Sequence, residues 1–276
     1  MSSKISLCLM LGVLLTAGSA AAEPRPLTLW IHPYLPATEL ITRFTPLAEY
    51  LSQELEREIE VRVQQNYQSH IDLVGRDLAD IAYLGPASYV QITDQYGAKP
   101  LLAKLEVDRS AYFHGMVVVR HDSPLRELAG LQGKSFAFGD PNSTMSHIVP
   151  RAMLKRAGIT LEHLARYDFL GSHHDVALAV LGGYFEAGAV KQEVFAMYQK
   201  RGLRMLAESP PIANHLLLTR ADLPPELIAR IREALLAINQ LPGKEELLTA
   251  IEDATGMLPV NDQEYDELRR MMDLQS

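Results

Sequence analysis

Apolar residues along the chain fall into two spacings: short runs that fit strands, and three-to-four-residue repeats that fit helices. Residues 27–31 (LTLWI) predict a buried strand. After it, Leu40, Ile41, Phe44, Leu47, Ala48, Leu51 and Leu55 recur at helical spacing, with Thr38 as a cap and Glu39 in the first turn. Pro46 interrupts the run and predicts a kink, or a fresh helix capped by Thr45. Residues 59–63 predict a second strand, 67–78 a helix, and 79–84 a third strand stopped at Gly85-Pro86. This alternation predicts a parallel sheet with helices on both faces.

A strand at 112–120 leaves that unit, and a second series follows. It comprises strands at 134–138, 166–170 and 185–190, with helices at 143–157 (stopped by Gly158) and 174–181. Residues 203–208, the Ser209-Pro210-Pro211 corner and 215–219 read as a return crossing. Three amphipathic helices close the chain; the first follows Pro224-Pro225 and aligns Leu227, Ile228, Ile231, Leu235 and Ile238. The expected fold class is α/β with two lobes, each a mainly parallel sheet flanked by helices, and a ligand cleft between them. The first lobe spans 23–118, the second 119–208, and 209–276 returns to complete the first.

The beginning of the chain adds a compartment. Lys4, an apolar run at 5–15 and Ala20-Ala21-Ala22 before Glu23 predict a secretory signal over residues 1–22. No later apolar run reaches transmembrane length, so a soluble protein of the periplasm is expected. Cys8, the one cysteine, lies inside the signal, which leaves the exported chain without disulfides, thiol nucleophiles or thiolate metal sites. The net charge of −8 argues against nucleic acid as a partner but not against a small anion, which responds to local amides and helix dipoles.

Candidate chemistry sits where strands pass into helices. The segment Phe138-Gly139-Asp140-Pro141-Asn142-Ser143-Thr144-Met145-Ser146 leaves backbone N–H groups free at a helix start. Ser143, Thr144 and Ser146 add hydroxyls, and together these form an anion seat. The same spacing also fits a plain helix cap. Gly171-Ser172-His173-His174-Asp175 repeats the geometry, with His173 as a donor to an anion or a structural residue. Adjacent histidines without a third ligand at metal spacing make a weak metal site. Glu186 falls near the end of an expected parallel strand, where open α/β sheets hold ligands. Tyr34, Tyr67, Tyr83 and Tyr89 all fall near strand ends or helix starts, fitting either a cleft wall or a core edge.

Five stretches together resemble a known family. They are Thr45-Pro46-Leu47-Ala48-Glu49-Tyr50-Leu51; Asn66-Tyr67 with Asp80-Ile81-Ala82-Tyr83-Leu84-Gly85-Pro86; Phe138 through Thr144; Gly171-Ser172-His173 with Glu186; and Ser209-Pro210-Pro211-Ile212. In this order they resemble the phosphate/phosphite/phosphonate solute-binding proteins of ABC transporters, the PhnD-type family. The resemblance implies a periplasmic-binding-protein type II fold whose lobes close on the ligand, with Tyr67, Ser143, Thr144 and His173 on the anion. Two departures stand out: Met145-Ser146 where the family continues Ser-Gly, and Glu186 where it has aspartate. The expected partners are a small oxyanion and a membrane permease, with no metal, cofactor or catalysis and a monomeric state. A sensing role beside a membrane histidine kinase is the alternative. A secreted hydrolase is a third reading, for which no G-x-S-x-G, cysteine nucleophile or H-E-x-x-H is present.

Overall fold

The protein's structure, a computed structural model, describes residues 25–273. The expected secretory signal, residues 1–22, lies outside the described residues. The first series runs β1 (Leu27–Ile31), α1 (Ala37–Leu55), β2 (Ile59–Val63), α2 (Tyr67–Gly75), β3 (Ile81–Leu84), α3 (Pro86–Tyr96) and β4 (Leu101–Val107). A short strand β5 (Tyr112–Phe113) leads out to β6 (Gly115–Arg120), β7 (Ser135–Phe138), α4 (Val149–Arg156), β8 (Arg166–Phe169), α5 (His173–Leu181), β9 (Ala187–Lys191), α6 (Gln192–Gln199) and β10 (Leu203–Glu208). The chain returns through β11 (Ile212–Ala213) to β12 (Leu216–Thr219), α7 (Pro225–Ala237), α8 (Lys244–Leu248), β13 (Ala254–Leu258) and α9 (Asp266–Asp273).

These strands build two sheets, β13-β4-β12-β3-β1-β2 and β10-β6-β9-β7-β8. Both are mixed rather than mainly parallel. β1 runs parallel to β2 and β3, and β7 parallel to β8 and β9. The crossing strands run the other way: β12 is antiparallel to β3 and β4, and β6 to β9 and β10. Each arrives from the other lobe and so enters its sheet at the cleft end, against the direction of its neighbours. β13, unexpected among closing helices, forms the first sheet's edge.

The expected lobe boundary after 118 falls inside β6, which belongs wholly to the second sheet. The crossing is instead the two-stranded ribbon of β5 and β11, paired at Ile212↔Phe113. Beside it, Ser209 and Gly115 exchange hydrogen bonds: Ser209 N–H donates to Gly115 O at 2.8 Å, and Gly115 N–H donates to the Ser209 side-chain Oγ at 2.9 Å. The Ser-Pro-Pro corner thus pins the outgoing and returning strands together. α9 packs against α3 of the first lobe and α4 of the second, sharing one apolar cluster with both.

Pro46 does not restart α1, which is a single helix with Pro36, not Thr38 or Thr45, at its cap. Phe44, Leu47 and Ala48 are buried on either side of it. Packing of that stripe outweighs one missing backbone bond. Ile41 instead lies 41% exposed. Asp80, at the far end of the sheet from the cleft, is a structural hub. It accepts from Arg25 at 2.7 and 3.0 Å, from Thr28 N–H and Oγ1 at 3.0 Å each, and from Arg220 at 2.9 Å. Burial alone would raise its carboxyl, but these donors reverse the shift and hold it below the usual range.

Candidate functional site

The lobes enclose a cavity of about 190 Å³. On the second-lobe side β7 ends at Phe138 and the chain enters a polar turn. Asn142 N–H donates to Asp140 Oδ1 at 2.7 Å and Ser143 N–H to Asp140 O at 3.0 Å. The expected helix at 143–157 opens as a wide π-turn, Thr144–Ile148, before α4 begins, with Ser143 Oγ capping Ser146 N–H at 3.3 Å. Such turns widen a helix start and recur at functional sites. Ser143 and Thr144 line the cavity, as does Met145. Thr144 Oγ1 also accepts from Ala87 N–H of α3 at 3.0 Å, a bond from one lobe to the other.

Ser146, expected among the anion contacts, is buried and does not line the cavity. Its hydroxyl faces Gly139, where an added Cβ would stand 2.1 Å from Oγ. The turn closes only because residue 139 has no side chain. Gly139→Ala is expected to lower stability by about 1–2 kcal/mol through overpacking. Denaturant titration reads this, and an unchanged midpoint would show that the turn gives way without cost.

His173, the first residue of α5, lines the same cavity as Thr144. Its Nδ1 accepts Lys191 N–H at 3.1 Å, so the neutral ring carries its proton on Nε2 and is left a donor. Burial, reinforced by the Lys191 charge, lowers its pKa to about 3.

From the first lobe come Tyr34 and Tyr67, both expected and both lining the cavity. Tyr67 opens α2 behind its Asn66 cap, which accepts Ser69 N–H at 2.8 Å. Burial raises the pKa of both phenols, so each keeps its proton. Besides Ser146, three more expected residues lie elsewhere. Tyr83 is fully buried behind the cavity, stacked on His215 with ring centroids 5.7 Å apart. Tyr89 donates to Asp262 at 2.6 Å and packs on Tyr265 at the hinge. Glu186 precedes β9, at the end away from the cleft, and accepts from Ser135 N–H at 2.7 Å beside Lys134 at 3.1 Å. In a strand parallel to β7 the carboxyl end faces the cleft; Glu186 stands ahead of the amino end of β9, and the residue at its cleft end is Lys191.

Residues that the spacing did not single out complete the wall. His32, just past β1, is 2% exposed, lines the cavity, and neither ring nitrogen has a partner. His215, at the start of β12, hydrogen-bonds Asn214 Oδ1 through Nδ1 at 3.1 Å. The His215 backbone N–H donates to that same oxygen at 2.9 Å, which fixes the amide orientation. His215 is thus Nδ1-protonated and left with an acceptor at Nε2, the opposite of His173. Burial lowers its pKa to about 4. Gly85 stands between the two rings: a Cβ there would lie 3.5 Å from His215 and 3.6 Å from His32. Lys191, Glu193 and Glu252 add charge, and Lys191 is ion-paired with Glu252. Burial would raise the Glu252 carboxyl, yet the Lys191 ammonium brings it down to about 2. The strand-end rule that singled out Glu186, applied to the carboxyl end of β9, points to Lys191. Nothing near Glu252 in the sequence marks it. Among the described residues no cluster of three or more His, Cys, Asp or Glu could hold a metal ion, and no helix is long and apolar enough to cross a membrane.

Comparison with known proteins converges on one family. The profile described as "ABC transporter, phosphonate, periplasmic substrate-binding protein" matches residues 29–265. The probable ABC transporter phosphite binding protein PhnD1 of Prochlorococcus marinus is 27% identical over 161 residues, 55% of this chain and about half (54%) of that protein's length. The phosphate-import protein PhnD of Mycolicibacterium smegmatis is 25% identical over 283 residues, covering 93% and 88% of the two chains. Among solved structures, XAC2383 from Xanthomonas citri superposes with a TM-score of 0.78 at 22% identity over 90% of this chain and 97% of that one. PhnD1 in complex with methylphosphonate gives a TM-score of 0.78 at 20% identity over 89% and 96%. These likenesses establish the two-lobed periplasmic-binding-protein fold, and the profile match over most of the sequence establishes the lineage: this chain belongs to the family of periplasmic substrate-binding proteins of phosphonate ABC transporters.

Proposed function

We propose that the cavity captures a small, phosphorus-containing oxyanion outside the cytoplasm and that the closed protein presents it to an ABC permease. The observation that carries this reading is the convergence of donors from both lobes on one small cavity. The Ser143–Thr144 turn and His173 Nε2–H come from the second lobe, and Tyr67 and His32 from the first. Together they replace a hydration shell without a metal, and Nε2 of His215 accepts from a ligand that carries a proton. Met145, against Gly115 on the same wall, fills space where the family pattern has serine. This favours a ligand with a short apolar substituent over one that is polar on every side. Relatives named for phosphite, phosphate and phosphonate support the ligand class.

Titration calorimetry of ligand-stripped protein with methylphosphonate, phosphite, phosphate and methanesulfonate tests the reading. At least one phosphorus oxyanion is expected to bind at micromolar concentration or tighter, ahead of the sulfonate. A folded sample that takes up none of them overturns it.

A further inference from the structure

Lys191 and Glu252 meet across the cleft. Lys191 closes β9 of the second lobe, and Glu252 stands just ahead of β13 of the first. Their side chains are only 18% and 6% exposed, so the pair is made inside the closed molecule, not on its rim. Both partners are held from behind. Lys191 gives its backbone N–H to His173 at 3.1 Å, and its ammonium lies 5.8 Å from the centre of the Tyr34 ring, a first-lobe residue. Glu252 and Asp253 both adopt left-handed backbone, with φ of 55° and 56°, a conformation that non-glycine residues take at a cost. That pair of residues turns the chain so that the Glu252 carboxylate reaches Lys191.

We propose that Lys191 and Glu252 form an interlobe latch: a pair of positioning residues that fixes how the lobes close and favours the closed arrangement before any ligand arrives. The proposal rests on the reading of this cavity as the capture cleft. The physical reason lies in what happens to each charge when the lobes part. In the open form both side chains regain water; in the closed form each is dehydrated and compensated by the other. Removing one partner leaves the other buried and unpaired on closure, which disfavours the closed form far more than losing both. A ligand whose binding-competent state is already populated binds more tightly by that factor. The latch therefore acts on affinity through the closing equilibrium. The Ala87–Thr144 bond is a second cross-lobe contact, but a neutral one.

Spin labels at exposed Glu54 and Glu162, one on each lobe, with Cys8→Ser to remove the native thiol, give the interlobe distance distribution of unliganded protein. Glu252→Gln and Lys191→Met are each expected to lower the closed-to-open ratio about tenfold or more. The reversed pair, Lys191→Glu with Glu252→Lys, is expected to restore it to within about threefold. Circular dichroism identifies any variant that has simply unfolded, and the other single variant then carries the comparison. Single variants as closed as the parent overturn the latch. So does a reversed pair as open as the single variants, since the effect would then belong to one residue alone. Calorimetry with methylphosphonate on the parent protein separates the two claims. Absence of binding removes the capture reading, while the distance distributions still decide the latch.

Discussion

Thermal unfolding of this protein shifts to lower temperature as the pH falls below about 6.5, well before its carboxylates titrate. The cause is a set of imidazoles held neutral inside the fold. Burial brings His70 and His173 down to about 3 and His215 to about 4, and lowers His32 well below the ordinary value of 6.5. The sign follows from proton counting. The unfolded chain takes up protons on these rings as the pH drops through 6.5, whereas in the folded chain His70, His173 and His215 do not until about 3–4 and His32 stays neutral well below 6.5. Stability is therefore whole at neutral pH and drains away across that window. Two pH units below its ordinary value, one such ring costs roughly 2.7 kcal/mol. Several together approach the whole stability of a typical domain, about 5–15 kcal/mol. Parting of the lobes hydrates His32, His173 and His215 first, so cleft opening is expected to precede global unfolding. His70 lies beneath the cleft wall, 0% exposed, and titrates only with the core. Unfolding temperatures at pH 7.5, 6, 5 and 4.5 check this, and His70→Gln should flatten the slope by about one proton. A constant unfolding temperature between pH 7.5 and 5 would contradict the neutral-histidine interior.

The second large effect separates the cleft from its neighbours. Tyr67→Phe and His173→Ala are each expected to weaken oxyanion binding by about 1.5–3 kcal/mol, or roughly 13- to 160-fold, the usual loss for a hydrogen bond to a charged group. Tyr89→Phe and Glu186→Gln are expected to leave affinity within about twofold. Tyr89 is engaged with Asp262 at the hinge, and Glu186 with Ser135 and Lys134 on the far side of the second sheet. Calorimetry on the four variants is decisive. Unchanged affinity in both Tyr67→Phe and His173→Ala, or a large loss with Glu186→Gln, would place the ligand elsewhere. The contrast matters because all four residues looked alike in the sequence: polar or aromatic, each beside a strand end.

That likeness marks where local reading succeeds. The second-lobe part of the cavity wall was legible because its parts are contiguous: β7 ends at Phe138, a polar turn follows, and Ser143 caps the next helical turn within a few residues. The same holds for Asn66-Tyr67 and Ser172-His173, where the cap and the cavity-lining residue are adjacent. Strand–helix order and the existence of two α/β lobes also follow from short-range periodicity, which backbone geometry imposes residue by residue.

Tertiary structure alone decided the rest. Which end of a strand faces the cleft depends on its direction in the sheet, and the carboxyl end of β9 brings Lys191 to the cavity while Glu186 lies ahead of the opposite end. The crossing strands, β12 in the first sheet and β6 in the second, run against their neighbours because they enter from the other lobe. His32 and His215 converge although 183 positions separate them, and Glu252 finds Lys191 from 61 positions away. Periodicity carries no information over such distances. Only closing the chain into two facing lobes brings those side chains together, and the electrostatics of the cleft exist only after that closure.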